Sequence, residues 1–509
     1  MRKSTLRCER WLGLGALLTV VVLADAPARA DDAAPAPPSP TTDPTLSIPG
    51  MPALPSGSLG GPTPPPTAQP RPSGISGSFG GSITFEKVQE DYFITPTIFN
   101  QTTIGPVTFG VQVPIRLRVW DRDPQDDGVL RKEDWDEPSD YLRLLRFVEV
   151  NLGGKTWRFR GRFGALDGES IGHGTIMAGY YNWLDVNHYQ GGLVLDAAIR
   201  WGGLYFMVDN IFRPEIFGFR LHVRPLSFIT KNSWANKLIV GFSTVVDTRA
   251  PLALADIDND PNTPAQAALD DDQNFVVSSR KAVKIIGFDI EYALIQNKLI
   301  DLVPYIDINV LAAGDTGVGM HLGTFFNIRI PTPVGPTLLT RLEYRVVGDG
   351  YAPRYIDSVY EAQRYQFDPN NNIDATTGLP LTKLGWLRST DPGTHGWLGE
   401  LYFDFAGWVK VGGTYEDYQG PNNAALTLGL HLPKFSFAQL GGYFTRRGFD
   451  GFGDAFDLDG ALLIGYLRVK VWGPLALTGV YRRTWRARED GTYTAQSDFS
   501  VGVGVSFGY

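Results

Sequence analysis

The chain of 509 residues contains a single cysteine, Cys8, which leaves no route to a disulfide framework, a cysteine metal cluster or thiolate catalysis. A transmembrane helix needs about 20 consecutive apolar residues, and the one long apolar run, 12–24, is too short. The six histidines (His173, His188, His222, His321, His395 and His431) are scattered, with no H-E-x-x-H arrangement. The chain is therefore not expected to be an enzyme, and no cofactor is implied. It also lacks a basic surplus: the net charge is −8, which argues against a nucleic-acid partner.

The apolar run instead reads as part of a leader. Arg2, Lys3, Arg7 and Arg10 precede it and Ala28-Arg29-Ala30 follows, so residues 1–30 are expected to be a signal peptide cleaved after Ala30. Cys8 leaves with it, and no cysteine stands at a lipidation position. Residues 31–75 hold 14 of the 36 prolines, mixed with Ala, Ser, Thr and Gly. That composition cannot bury a core and predicts an extended periplasmic linker.

From residue 76 onward the pattern changes to period 2. Its sharpest instance is the C-terminus: Phe499, Val501, Val503, Val505, Phe507 and Tyr509 alternate with Ser or Gly, giving a strand with one apolar and one small, polar face. This ending resembles the C-terminal signal of Gram-negative outer-membrane β-barrel proteins, porin-like ones included. The resemblance implies recognition by the barrel-assembly machinery, contact with outer-membrane lipid and lipopolysaccharide, and, by analogy with porins, homo-oligomers. The expected fold is all-β: a transmembrane antiparallel up-and-down barrel over 76–509 of about 20 strands, with 18 as the alternative.

Short turn-rich connections (101–106, 153–154, 201–203, 296–298, 331–335, 406–407, 432–434 and 471–474) largely alternate with long polar ones (121–140, 166–190, 247–280, 348–395, 447–459 and 487–496). Outer-membrane barrels place the first kind in the periplasm and the second outside. The stretch 212–236 is ambiguous. At Gly153-Gly154 a two-residue turn would set Leu152 opposite Lys155, Val150 opposite Trp157, Val148 opposite Phe159 and Glu149 opposite Arg158. That register leaves Arg146 on the lipid face, which a bulge or a place near the headgroups would resolve.

Charge alternates with apolar residues in many strands. An Arg or Lys facing lipid at the midplane costs roughly 2–4 kcal/mol, so the charged parity is expected to face a wet lumen. The pore-lining candidates are Arg116, Arg118, Glu149, Arg158, Arg160, Arg162, Glu291, Arg341, Glu343, Arg345, Arg468, Lys470 and Arg482. The arginines 116, 118, 158, 160, 162, 468 and 482 would form a positive wall favouring anions. The alternative is that they pair with acids such as Glu149, Glu291, Glu343 and Asp404.

Three further features stand out. The segment 170–188, with its Gly-rich start and with His173, Tyr180 and Trp183, is the candidate for a loop that folds inward and narrows the pore. Asp256, Asp258 and Asp260 have the spacing of a calcium loop but lack its glycine and its terminal Glu, so they read as weak metal candidates in a solvated acidic loop. Trp157, Trp183, Trp201, Trp234, Trp386, Trp397, Trp408, Trp472 and Trp485 fit interfacial girdles. The expected function is a channel for passive diffusion of small hydrophilic solutes. The alternatives are a substrate-specific channel for an anionic solute or polyanion, and a non-conducting structural or adhesive barrel.

Overall fold

The computed structural model describes residues 74–508 except 89, 123–127, 132–133, 136–140, 142–143, 155, 184–190, 231, 259, 261–262, 264, 271–274, 333–334, 366, 368–372, 375–376, 390–392, 433–436, 459 and 488–492. The expected signal peptide, almost all of the expected linker, His188 and Tyr509 lie outside the described residues.

Twenty antiparallel strands make one sheet that closes on itself. In chain order, the first seven are β1 (Ile75–Val88), β2 (Asp91–Ile104), β3 (Val107–Pro114, continued by Leu117–Trp120), β4 (Leu145–Gly153), β5 (Trp157–Gly164), β6 (Gly192–Ile199) and β7 (Gly202–Val208). Then come β8 (Ile216–Val223), β9 (Leu238–Leu254), β10 (Val277–Tyr292), β11 (Ile300–Ala312), β12 (Thr316–Arg329), β13 (Pro336–Val347) and β14 (Thr394–Phe405). The last six are β15 (Val409–Tyr418), β16 (Ala424–Leu432), β17 (Ala438–Phe449), β18 (Leu462–Trp472), β19 (Leu475–Ala487) and β20 (Tyr493–Gly508). The ambiguous stretch resolves into β8 followed by two 3-10 turns, Pro225–Phe228 and Ser233–Asn236.

Closure is made by β20 on β1, from Ser78 opposite Gly508 to Lys87 opposite Phe499. A closed sheet has no unpaired edge, which is what allows strands to cross a bilayer. The even count returns Ile75 and Gly508 to one rim, where the expected short turns also lie. The long connections gather at the other rim. One of them is shorter than expected: 247–254 and 277–280 belong to β9 and β10, so the loop is 255–276. Residues 250–254 and 277–281 pair with each other through register shifts, which carries both strands beyond their neighbours.

The two faces separate by parity. In β10 the outward Ile286, Phe288 and Ile290 are 40–57% exposed, whereas the intervening Ile285, Asp289 and Glu291 are at most 4% exposed. Trp157, Trp201, Trp234, Trp408 and Trp472 are exposed next to the short-turn rim, as an aromatic girdle requires. Trp386 is not part of it: its ring stacks on Phe367 inside the barrel, 4.1 Å between centroids. Trp183 donates to the backbone of Leu166 and to Asp167, so it too is held by the loop. The Trp485 side chain lies outside the described residues.

The β4–β5 register differs from the expected one by four residues. Leu152 faces Phe159, Val150 faces Gly161, Val148 faces Phe163 and Glu149 faces Arg162. The turn is wider, closed by Gly154 N donating to Trp157 O. An even slip keeps every side chain on its face, and this one sets Glu149 between Arg160 and Arg162. Arg146 sits where the β3–β4 pairing shifts between Phe147 and Leu145, a bulge of the kind that absorbs an ill-placed side chain.

Candidate functional site

Two connections of the long-loop rim turn back into the barrel and pack there. The first, 165–183, is an inner hairpin of Asp167–Ile171 and Met177–Tyr181. Its tip, 172–175, needs left-handed backbone at Gly172 (φ 62°) and Gly174 (φ 76°). A Cβ at Gly172 would also meet Arg220 Nη1 at 2.4 Å, so the glycines permit both the turn and its approach to the wall. The second, 348–393, carries helices α1 (Tyr360–Gln363) and α2 (Lys383–Ser389).

The two segments are joined to each other. Met177 bridges Ile356, Arg354 N donates to Thr175 O at 2.8 Å, and the Tyr180 hydroxyl donates to Glu361 at 2.5 Å. With the walls they form the main apolar cluster, in which Leu166, Ile176, Met177, Tyr355 and Leu384 meet Val245, Ile285 and Leu311. Filling a lumen with apolar side chains is what makes this burial favourable, at about 25 cal/mol per Å² of apolar surface.

His173 clamps the hairpin tip to the far wall. Its Nδ1 lies 2.6 Å from Asp307 and its Nε2 2.8 Å from Glu291, while its ring stacks on Tyr305 at 4.1 Å. Thr175 donates to the other Asp307 oxygen at 2.7 Å, and Arg341 donates to His173 O. Carboxylates at both ring nitrogens require both to be donors, which is the imidazolium form. Burial alone would lower the His173 pKa, but Asp307 and Glu291 outweigh it and raise it to about 10. Asp289 and Asp307 also place oxygens within 4.8 Å of a His173 nitrogen and of each other, a spacing that could admit a metal. Asp289, however, is occupied by Arg220, at 2.6 and 2.8 Å, so the set reads as an ion-pair network.

In the second segment, Lys383 Nζ lies 3.0 Å from Asp357 and within 5.6 Å of the rings of Tyr355, Tyr360 and Phe367. Burial pushes its pKa down to about 8, against the pull of Asp357. Arg447 of β17 reaches the same Asp357.

All thirteen pore-lining candidates stand at inward register positions, but they fall into groups with different surroundings. Glu291, Arg341, Glu343 and Arg345 are at most 2% exposed. They lie beneath the infolded segments and do not face an open pore; the sequence could not show that distant loops cover them. Arg345 pairs with Glu343 and Glu416, and Arg341 with Glu400. Five arginines of the expected positive wall are matched by acids: Arg116 by Glu86 and Asp134, Arg118 by Asp91, Arg158 by Asp196, Arg160 by Glu149 and Glu169, and Arg162 by Glu149 and Asp167. Arg482 faces Asp498 across the β19–β20 ladder. Arg468 and Lys470 lie near the short-turn mouth.

The contacts of the infolded segments run round the wall from β5 to β18. The wall formed by β19, β20, β1 and β2 is different in kind. Its inward positions include Ser82, Thr84, Thr97, Gln101, Thr478, Ser500, Gly502, Gly504 and Ser506, all only half-buried. This is the small, hydroxyl-bearing face of the C-terminal strand and its neighbours. Val501, Val503 and Phe507 point outward, and Phe507 stacks on Phe79 at 5.4 Å. Asp256 and Asp258 spend oxygens on Gln266 N, Asp260 N and Thr263, which are contacts of a closed turn.

Sequence reasoning marked 348–395 only as a long connection and missed that it turns inward. A signal was present: Tyr351, Tyr355, Tyr360, Tyr365, Phe367 and Trp386 within one connection are too many rings for a loop in water.

A closed twenty-strand sheet with an apolar belt and a polar interior is the architecture of porin-type outer-membrane barrels. No protein-family model matches the chain, and no curated protein matches it in sequence. Solved structures similar in fold include Acinetobacter baumannii OccAB1, at 8% identity over 85% of this chain and 96% of that one with a TM-score of 0.31. Pseudomonas aeruginosa OccK11 is 10% identical over 86% and 96%, with a TM-score of 0.33. The ferric enterobactin receptor PfeA is 10% identical over 86% and 82%, with a TM-score of 0.35.

Proposed function

We propose that the chain is an outer-membrane channel through which small hydrophilic solutes diffuse along the hydroxyl-lined wall of β19, β20, β1 and β2. The infolded segments set its width, and residues 31–75 act as a periplasmic tether. The observation that carries this reading is the division of the lumen: one sector is packed with apolar and ion-paired side chains, the other is lined by Ser, Thr and Gly. A barrel of this strand number has more interior than its own wall side chains can fill, which is why loops can enter and still leave a path. Because the interior arginines are largely matched by acids, the proposed ion selectivity is weak. No catalytic step is assigned: His173, His321 and His431 are each held by carboxylates or by a tyrosine.

Reconstitution of the exported protein in planar bilayers tests this. Stable ohmic conductance with a small salt-gradient reversal potential is expected. No conductance would favour a non-conducting structural barrel, and a reversal potential close to the anion limit would favour an anion-specific channel.

A further inference from the structure

Not every long connection turns into the lumen: the one after β17 folds back over the outside of the barrel. Tyr443 and Arg447 of β17 reach Ser358 and Asp357 inside the barrel, so Phe444 and Arg446 point outward. In register they stand opposite Leu428 and Leu426 of β16. Nearer the short-turn rim, the outward Leu430 and Leu440 are 36% and 38% exposed, but Leu426 and Arg446 are only 5% and 7% exposed. Their cover is the segment 450–458. Ala455, in a 3-10 turn over Asp454–Phe456, is fully buried in a cluster with Ala424, Leu426 and Phe449. The Phe456 ring stacks on Phe444 at 6.3 Å, and Asp457 lies 3.4 Å from Arg446 Nη1. An arginine at a lipid-facing register position is costly, and the fold-back gives this one a carboxylate and a roof.

The outer side of that roof is apolar in turn. Phe452, Phe456 and Leu458 are all exposed, and Phe452 meets Phe456 edge-on with 5.4 Å between ring centroids. Phe444 stands six residues up β17 from Ala438, a rise of roughly 16 Å at a tilt of about 40°, which lies inside an apolar belt about 25 Å tall. Because Phe456 lies on Phe444, the ridge continues the lipid-facing belt without a break. We propose that 450–458 is an outward-folded anchor whose Phe452 and Phe456 rings insert among the acyl chains of the outer leaflet. Clustered exposed rings are unfavourable in water and mark a contact with another apolar phase, and here the phase that meets the rest of the belt is at hand. The anchor does not draw on the conduction proposed above: a silent barrel would carry it equally.

The test is fluorescence quenching of the exported protein in phosphatidylcholine vesicles. The chain has no cysteine after Cys8, so one introduced thiol carries one fluorophore. Gly453→Cys, where an added Cβ meets nothing within 4 Å, reports from the ridge with both rings kept, and Phe456→Cys reports from a ring position itself. Both labels should lose most of their emission to nitroxide-bearing lipid and little to aqueous iodide. A label on Asp315→Cys, whose side chain is 77% exposed at a turn of the same rim, should show the opposite preference. Iodide quenching of the ridge labels as strong as at Asp315→Cys would overturn the proposal. Protection from both quenchers would overturn it too, and cross-linking of two copies through Phe452→Cys would then assign the ridge to a protein contact.

Discussion

Replacing His173 by alanine should loosen the inner hairpin and widen the channel. The substitution removes the cation between Asp307 and Glu291, both at most 4% exposed, and leaves two carboxylates facing each other in a dry site. Breaking a buried pair by removing one partner typically costs about 3–5 kcal/mol. The hairpin stays tied through Thr175, Met177 and Tyr180, so the loss acts mainly on local opening of the tip. At 1.4 kcal/mol per tenfold, 3 kcal/mol corresponds to roughly a hundredfold rise in the open population. Single-channel recording should show a larger mean conductance with added current noise, and His395→Ala, at an outward exposed position, should show neither. Identical conductance and noise in His173→Ala and wild type, with both proteins folded, would refute the role given to the clamp.

The same clamp makes a pH prediction. The folded-state pKa of His173 is raised to about 10 from an unfolded value near 6.5, so its stabilisation is fully present below about 6.5 and fades as pH climbs through 10. Channel noise should therefore rise between pH 9 and 11, and a flat profile there would contradict the imidazolium assignment. On the outer face, Phe288 is 57% exposed, beside Phe242 and Ile308 in register. Phe288→Arg should destabilise the folded barrel in lipid by roughly 2–4 kcal/mol, measured by urea unfolding from vesicles, whereas Thr478→Arg, facing the lumen, should cost far less and lower conductance instead. Equal destabilisation by both would reject the division into two faces.

What the sequence made legible was whatever depends on nearest neighbours along a strand. The alternation Phe499–Phe507 fixes both faces of the closing strand, and the rims follow from where Gly, Pro and Asn interrupt the pattern. The β4–β5 slip shows the limit. Gly153-Gly154 looked like a complete turn, yet pairing Glu149 with Arg160 and Arg162 across the ladder selects a longer one, and both registers satisfy the alternation. Arg341 and Arg345 read locally as pore-lining, because their strand alternates as the others do. Only the folded chain shows that Arg341 donates to His173 of the inner hairpin and that Arg354 of the second segment reaches the same Glu400 as Arg341. His173 could be singled out by the glycines around it, but Asp307 and Glu291 are more than a hundred residues away and no spacing rule connects them.

The most direct test of the central claim is an alternating thiol scan of the C-terminal strand. The chain has no cysteine after Cys8, so single cysteines at each position from 500 to 506 report alone. The account predicts that Ser500→Cys, Gly502→Cys, Gly504→Cys and Ser506→Cys react with a water-soluble thiol reagent in lipid-reconstituted protein. Val501→Cys, Val503→Cys and Val505→Cys should resist it and be quenched by lipid-borne nitroxide when fluorescently tagged. Uniform reactivity along the strand, or even-numbered positions as closed to water as odd ones, would contradict a water-filled path along this wall.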